Sequence, residues 1–211
     1  MRKVEVPWRL GQIFWDTFLG NHIVLMQAIG ICPIIAVGYR LQYGAALAAS
    51  TAVVLLSTGL LMSLIGDRLP QWLRPPVYTM LGSLILWGCA WVLDSFFSTT
   101  VYAALYLYLP LMAVNALNYR TGGFAAGNRP ASALVQAGGA SLGFGVVICF
   151  VAGVRELLGF GTLWEYPLLS QPVLPQIDKP FFAFLMLALM AALLQGGKLS
   201  WNKWKRGQDD A

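Results

Sequence analysis

Charge is what this sequence has least of: 11% of its 211 residues are Asp, Glu, Lys or Arg and 58% are hydrophobic, whereas a soluble domain carries roughly 25% charged and about 45–50% apolar residues. That scarcity excludes an ordinary water-facing globule and points to a polytopic membrane protein. Within the apolar stretches the ionisable side chains sit at boundaries, as Arg40, Asp94, Arg155 and Glu156 do, and His22 is the sole histidine. A buried relay of carboxylates and imidazoles is therefore not available to this chain. Its three cysteines, Cys32, Cys89 and Cys149, fall in three different apolar stretches with no Cys-x-x-Cys spacing, which argues against a disulfide framework. Cys89 and Cys149 read as small buried hydrophobes. There is no phosphate-cradling Gly-x-x-x-x-Gly-Lys and no strand-bounded dinucleotide fingerprint, so neither flavin nor nucleotide is expected on this chain.

What the sequence does have is membrane-length apolar runs, at about 22–40, 44–65, 76–94, 100–118, 132–154 and 180–197, each near the roughly 20 residues that cross a bilayer. The fold expected is an all-α membrane protein with six transmembrane helices. The segment 1–21 lacks an uninterrupted apolar core and reads as a cytoplasmic amphipathic helix, offering Trp8, Ile13, Phe14, Trp15 and Phe18 to the interface. Residues 22–197 form the membrane domain and 198–211 a basic cytoplasmic tail. With the N-terminus inside, most Lys and Arg collect on one face and Arg40, Arg155 and Lys179 on the other, which places both termini in the cytoplasm. This asymmetry accounts for the net charge of +5, so the expected partner is the lipid bilayer and not nucleic acid.

The most informative motif is Gly30-Ile31-Cys32-Pro33, a helix break inside the first apolar run. A bilayer tolerates interrupted helices only where the freed backbone faces protein or a site. The string Pro33-Ile34-Ile35-Ala36-Val37-Gly38 has a faint echo in Pro110-Leu111-Met112-Ala113-Val114-Asn115 of the fourth run. Three spans followed by three spans, about 22–94 and 100–197, then suggest inverted repeats with broken helices 1 and 4, because an odd number of crossings per copy forces opposite orientations. Gly138, Gly139, Ala140, Ser141, Gly143 and Gly145 give the fifth run a small-residue surface for close helix packing. The adjacent pair Arg155-Glu156 reads as a cap and interface anchor, and His22 beside Asn21 as an interfacial polar residue.

Several strings, in order, resemble the membrane subunits shared by the Rnf and Nqr complexes. They are Gly20-Asn21-His22 through Gln27-Ala28-Ile29-Gly30-Ile31-Cys32-Pro33, Leu73-Arg74-Pro75-Pro76-Val77-Tyr78, Leu109-Pro110-Leu111 with Val114-Asn115, and Val154-Arg155-Glu156-Leu157-Leu158-Gly159-Phe160-Gly161-Thr162-Leu163. The Cys-Pro step, the polar start and the cationic tail are most similar to the E subunit of Rnf. The resemblance implies a bacterial inner-membrane protein paired with a homologous A-type sister subunit of opposite topology, alongside flavin- and iron-sulfur-carrying Rnf subunits. It also implies a [2Fe-2S] cluster within the membrane, held by one cysteine from each repeat's broken helix in both subunits. Cys32 matches the first of those ligands. Ala116 occupies the position of the second and cannot bind iron; Asn115 or Asn118 could offer an oxygen, and no spacing places Cys149 there.

The function so implied is electron transfer and ion translocation in an Rnf-type ferredoxin:NAD+ oxidoreductase, with this chain inactive alone. Two other readings stand beside it: a redox-inactive assembly subunit whose cluster site is degenerate at Ala116, and a small-solute transporter in which Cys32 only packs.

Overall fold

A computed structural model describes residues 10–20, 25, 30–96, 105, 108–113, 121, 123–164, 166–167, 177 and 179–209. These residues are almost entirely helical. Helix α1 (Leu10–Trp15) continues as a π-helical turn over Asp16–Gly20. Then follow α2 (Ile31–Val37), α3 (Leu41–Ile65), α4 (Arg74–Phe96), α5 (Tyr108–Ala113), α6 (Pro130–Phe160) and α7 (Pro180–Asp209). A two-residue hairpin pairs Thr162–Leu163 with Tyr166–Pro167.

Four helical segments are long and apolar enough to cross a bilayer: Leu41–Ile65, Gln71–Val92, Pro130–Phe160 and Pro180–Gly197. They match four of the six apolar runs, and the chain is a multi-pass membrane protein. Of the other two expected crossings, the described residues hold Leu25 and 30–40, which include α2, from the run 22–40, and Leu105 with α5 from the run 100–118.

The centre of the molecule is the crossing of α3 and α6. Small residues bring the two backbones together at three levels. A side-chain carbon on Gly44 would stand 3.1 Å from the Ala152 Cβ, one on Gly145 3.5 Å from Ala48, and one on Gly59 3.5 Å from Ala137. The helices therefore run antiparallel. Lipid tails are as apolar as leucine, so close approach and dispersion, rather than burial from water, favour such a crossing. Hydroxyls inside the pair are satisfied by their own helix: Ser50 donates to Ala46 O at 2.8 Å, Thr51 to Leu47 O at 2.7 Å and Thr58 to Val54 O at 2.6 Å. That back-bonding lets polar residues be buried without a partner on a neighbouring helix.

The principal core joins Ile34, Ile35 and Val37 of α2 with Leu47, Val54, Phe144 and Ile148 of the crossing and Leu109 and Met112 of α5. A smaller core at the other end gathers Met62, Tyr78, Ala125, Ala126 and Ala133.

The N-terminal segment is less superficial than its composition suggests. Ile13 is buried, 5% exposed, and the segment packs on the small-residue face of α6, where a side chain on Gly139 would come within 3.1 Å of Phe14 O. Trp15, 59% exposed, still points away from the protein. At the other end, α7 runs through the basic tail to Asp209.

Candidate functional site

The sequence places its only helix break with a thiol at Gly30–Pro33, and the local backbone explains why those residue types stand there. Gly30 adopts φ 83°, ψ 15°, the left-handed conformation that disfavours any residue with a Cβ. Helix α2 starts at Ile31. Pro33 is its third residue, where the missing N–H has no intrahelical acceptor to lose. Ile34, Ile35 and Val37 turn into the core, while Cys32 faces outward. Of the three free cysteines Cys32 alone is exposed; Cys89 and Cys149 are half-buried, Cys149 at the edge of the principal core.

Helix α2 has only seven residues, too few for a helix to hold itself by its own hydrogen bonds. It is held by its surroundings, touching α3, α5, α6 and α7. Its contact with α5 brings the Pro33 helix and the Pro110 helix against each other.

Arg155 and Glu156 hold it most specifically. Both are 1% exposed, although they were expected at the interface. Helix α6 does not end before them; it continues to Phe160 and stops at Gly161, which places the pair inside the protein. Arg155 Nη1 donates to Ile35 O at 3.1 Å and Gly38 O at 3.0 Å, the carbonyls that the end of α2 leaves without intrahelical donors. Its Nε donates to Ile177 O at 3.3 Å, tying the long connection between α6 and α7 to the same point. Glu156 Oε2 accepts from the Leu41 N–H at 2.7 Å, at the first turn of α3, and its other oxygen accepts from the Thr162 hydroxyl at 3.3 Å.

The pair is a cap, as expected, but of two other helices rather than of its own. A guanidinium lies at the carbonyl end of α2 and a carboxylate at the N–H end of α3, each opposing the local helix dipole. Charge-assisted hydrogen bonds of this kind contribute about 1.5–3 kcal/mol each. The sequence signal that marks burial is the apolar run resuming after the charges, Leu157-Leu158 and Phe160.

Arg40, also expected at a boundary, lies between the two helices as the residue before α3, its guanidinium 5.5 Å from the Phe160 ring centroid. Ala116, Asn115, Asn118 and His22 lie outside the described residues. Among the described residues no three of His, Cys, Asp and Glu come together as a metal cluster would require. A metal centre at Cys32 would have to be completed by other residues.

Comparison with known proteins agrees with the motif order. The family model described as "Rnf-Nqr subunit, membrane protein" matches residues 10–196. Two curated relatives from Shewanella, strains ANA-3 and MR-4, are each 30% identical over 200 residues, covering 86% of this chain and 85% of theirs. Both are named as the E subunit of an ion-translocating oxidoreductase complex. A relative of the same name from Shewanella loihica is 31% identical over 154 residues, covering 72% of this chain and 66% of its own. The chain belongs to the Rnf-Nqr family of membrane subunits.

Proposed function

We propose that this chain is a membrane subunit of an ion-translocating oxidoreductase complex of the Rnf ferredoxin:NAD+ type, inactive alone, which helps carry electrons across the bacterial inner membrane. The observation that carries the reading is the outward-facing Cys32 on a short helix begun by a left-handed glycine. An exposed thiol at an apolar, membrane-embedded helix start suits a centre shared with another subunit better than a packing role, since packing cysteines are buried. The names of the relatives supply the class of complex.

The residues present fit one corner of an intramembrane [2Fe-2S] cluster shared with an A-type sister subunit. Soft thiolate donors select such clusters, and Cys32 offers one; Ala116 offers none. When bound, the cluster would supply one-electron transfer between the two membrane faces. The chain's own contribution is to present Cys32 at a fixed point on its surface and to exclude water behind it with Ile34, Ile35 and Val37. Flavin and nicotinamide chemistry belong to partner subunits.

The same proposal includes six crossings over 22–197 in two inverted repeats, about 22–94 and 100–197, with both termini cytoplasmic. Two features support it. The Pro33 and Pro110 helices pack together at the core. Each helix of the antiparallel central pair is also entered through Gly-x-Arg, as Gly38-Tyr39-Arg40 before α3 and Gly127-Asn128-Arg129 before α6, with the arginine extended in both. The basic residues favour cytoplasmic termini.

The decisive experiment is Cys32→Ala in the purified complex. The expected outcome is loss of an iron-sulfur signal and of electron flow; an unchanged spectrum and rate would refute ligation by Cys32. Ala116 favours a second reading, a redox-inactive assembly subunit. Under that reading Ala116→Cys creates a cluster absent from the parent complex.

A further inference from the structure

We propose that Arg155 and Glu156 are positioning residues that set where the Cys32 thiol stands, by clamping both ends of the Gly38–Arg40 turn between α2 and α3. The clamp spans the turn: Arg155 holds Ile35 O and Gly38 O on its near side, and Glu156 holds the Leu41 N–H on its far side. Adjacent residues on a helix point about 100° apart, so neighbours in sequence can reach two ends of a chain that bends across the surface of α6. Cys32 is three residues before Ile35, just under one helical turn, or about 4.5 Å along the axis. Fixing the Ile35 carbonyl therefore fixes the height and rotation of the thiol.

Helix α2 begins at a left-handed glycine and ends at Gly38, where a side chain would collide with the Ile34 carbonyl. It is thus a short element that starts at a left-handed glycine and ends at a crowded one, oriented by its contacts with other elements. Arg155 is among the largest fully buried side chains described, and it donates to three backbone carbonyls from two separate segments. A planar fork with donors in fixed directions can satisfy these carbonyls together, and the compact ammonium of lysine cannot. The link to electron transfer rests on the iron-sulfur reading of Cys32; control of the thiol's position does not.

The test uses the full chain in membranes, with N-ethylmaleimide as probe and the alkylation rate of each cysteine read separately by mass spectrometry. Arg155→Lys is expected to shift the Cys32 rate about tenfold, equivalent to ~1.4 kcal/mol, while Cys89 and Cys149 react as before. Unchanged rates at all three positions, or all three moving together as in general loosening, would overturn the proposal. Should Arg155→Lys fail to accumulate, Glu156→Gln makes the same comparison with a shift of about threefold expected. In the purified complex, Arg155→Lys is expected to change the line shape of the signal that Cys32→Ala removes. A signal lost in Cys32→Ala but identical in Arg155→Lys defeats the role in electron transfer. One that survives Cys32→Ala defeats the cluster reading alone and leaves the alkylation result to decide the clamp.

Discussion

The inner pair of spanning helices and the outer pair are all apolar enough to cross a bilayer, yet their environments differ. Of the spanning windows of α3 and α6, 44% and 56% are buried in the protein; for Gln71–Val92 and Pro180–Gly197 the share is 17% each. What separates the pairs is side-chain size. The inner pair meets through Gly44, Gly59, Ala137, Gly145 and Ala152, while the outer helices present Met80, Leu84, Trp87 and Trp91, and Phe181, Leu189 and Leu193, to their surroundings. In a bilayer the interior of a protein is marked by small residues and self-satisfied hydroxyls, because apolarity is common to both sides of every helix.

Three comparisons probe that contrast, in falling order of expected effect. Gly44→Leu must force α3 from α6 at the 3.1 Å approach to Ala152, whereas Gly88, on the outer helix, has nothing within 4 Å. Thermal unfolding in detergent should place Gly44→Leu about 3 kcal/mol or more below the parent, at the upper end of overpacking costs, and Gly88→Leu close to it. Equal losses would mean that the small residues do not define the interior.

The second comparison lies within one helix. Gly139 faces Phe14 O and Thr17, while the adjacent Gly138 faces open space. Gly139→Leu should displace the N-terminal segment at a cost of about 1–3 kcal/mol, seen as faster protease cleavage near residue 15, and Gly138→Leu should leave cleavage unchanged. The smallest effect is expected on the outer face. Trp87→Leu and Trp91→Leu, at residues 69% and 75% exposed, should alter the stability of the isolated chain by no more than about 0.5 kcal/mol. A larger loss there would mark a face that the chain itself covers.

The legible parts of the fold are those where one residue type has one physical use. Four spans can be read because runs near 44–65, 76–94, 132–154 and 180–197 are too apolar for water. The start of α2 can be read because Gly30 and Pro33 suit a helix start that other residues resist. The small residues of α6 point to packing, and Gly139 and Gly145 do pack. The candidate thiol is legible for the same reason, since Cys32 adjoins that start.

The least legible feature is the pair Arg155-Glu156. Charges at the end of an apolar run read as an interface, whereas the acceptors Ile35, Gly38 and Ile177 and the donor Leu41, from segments distant in sequence, help make burial tolerable. Ile13 misleads in the same way, its burial depending on a surface about 125 residues away along the chain.

The amino-acid order alone determined that the chain enters a membrane, where its four long helices run and where a short helix starts at a glycine. Those properties follow from transfer free energy and backbone sterics, which act over a few neighbouring residues. Tertiary structure decided which helices are interior, that Cys32 faces outward while Pro33, Ile34 and Ile35 are buried, and that two adjacent charges hold the turn between α2 and α3. Each of these depends on groups brought together from distant positions: a carbonyl without a donor, a charge without solvent and a glycine without a side chain are satisfied only by what folding places beside them.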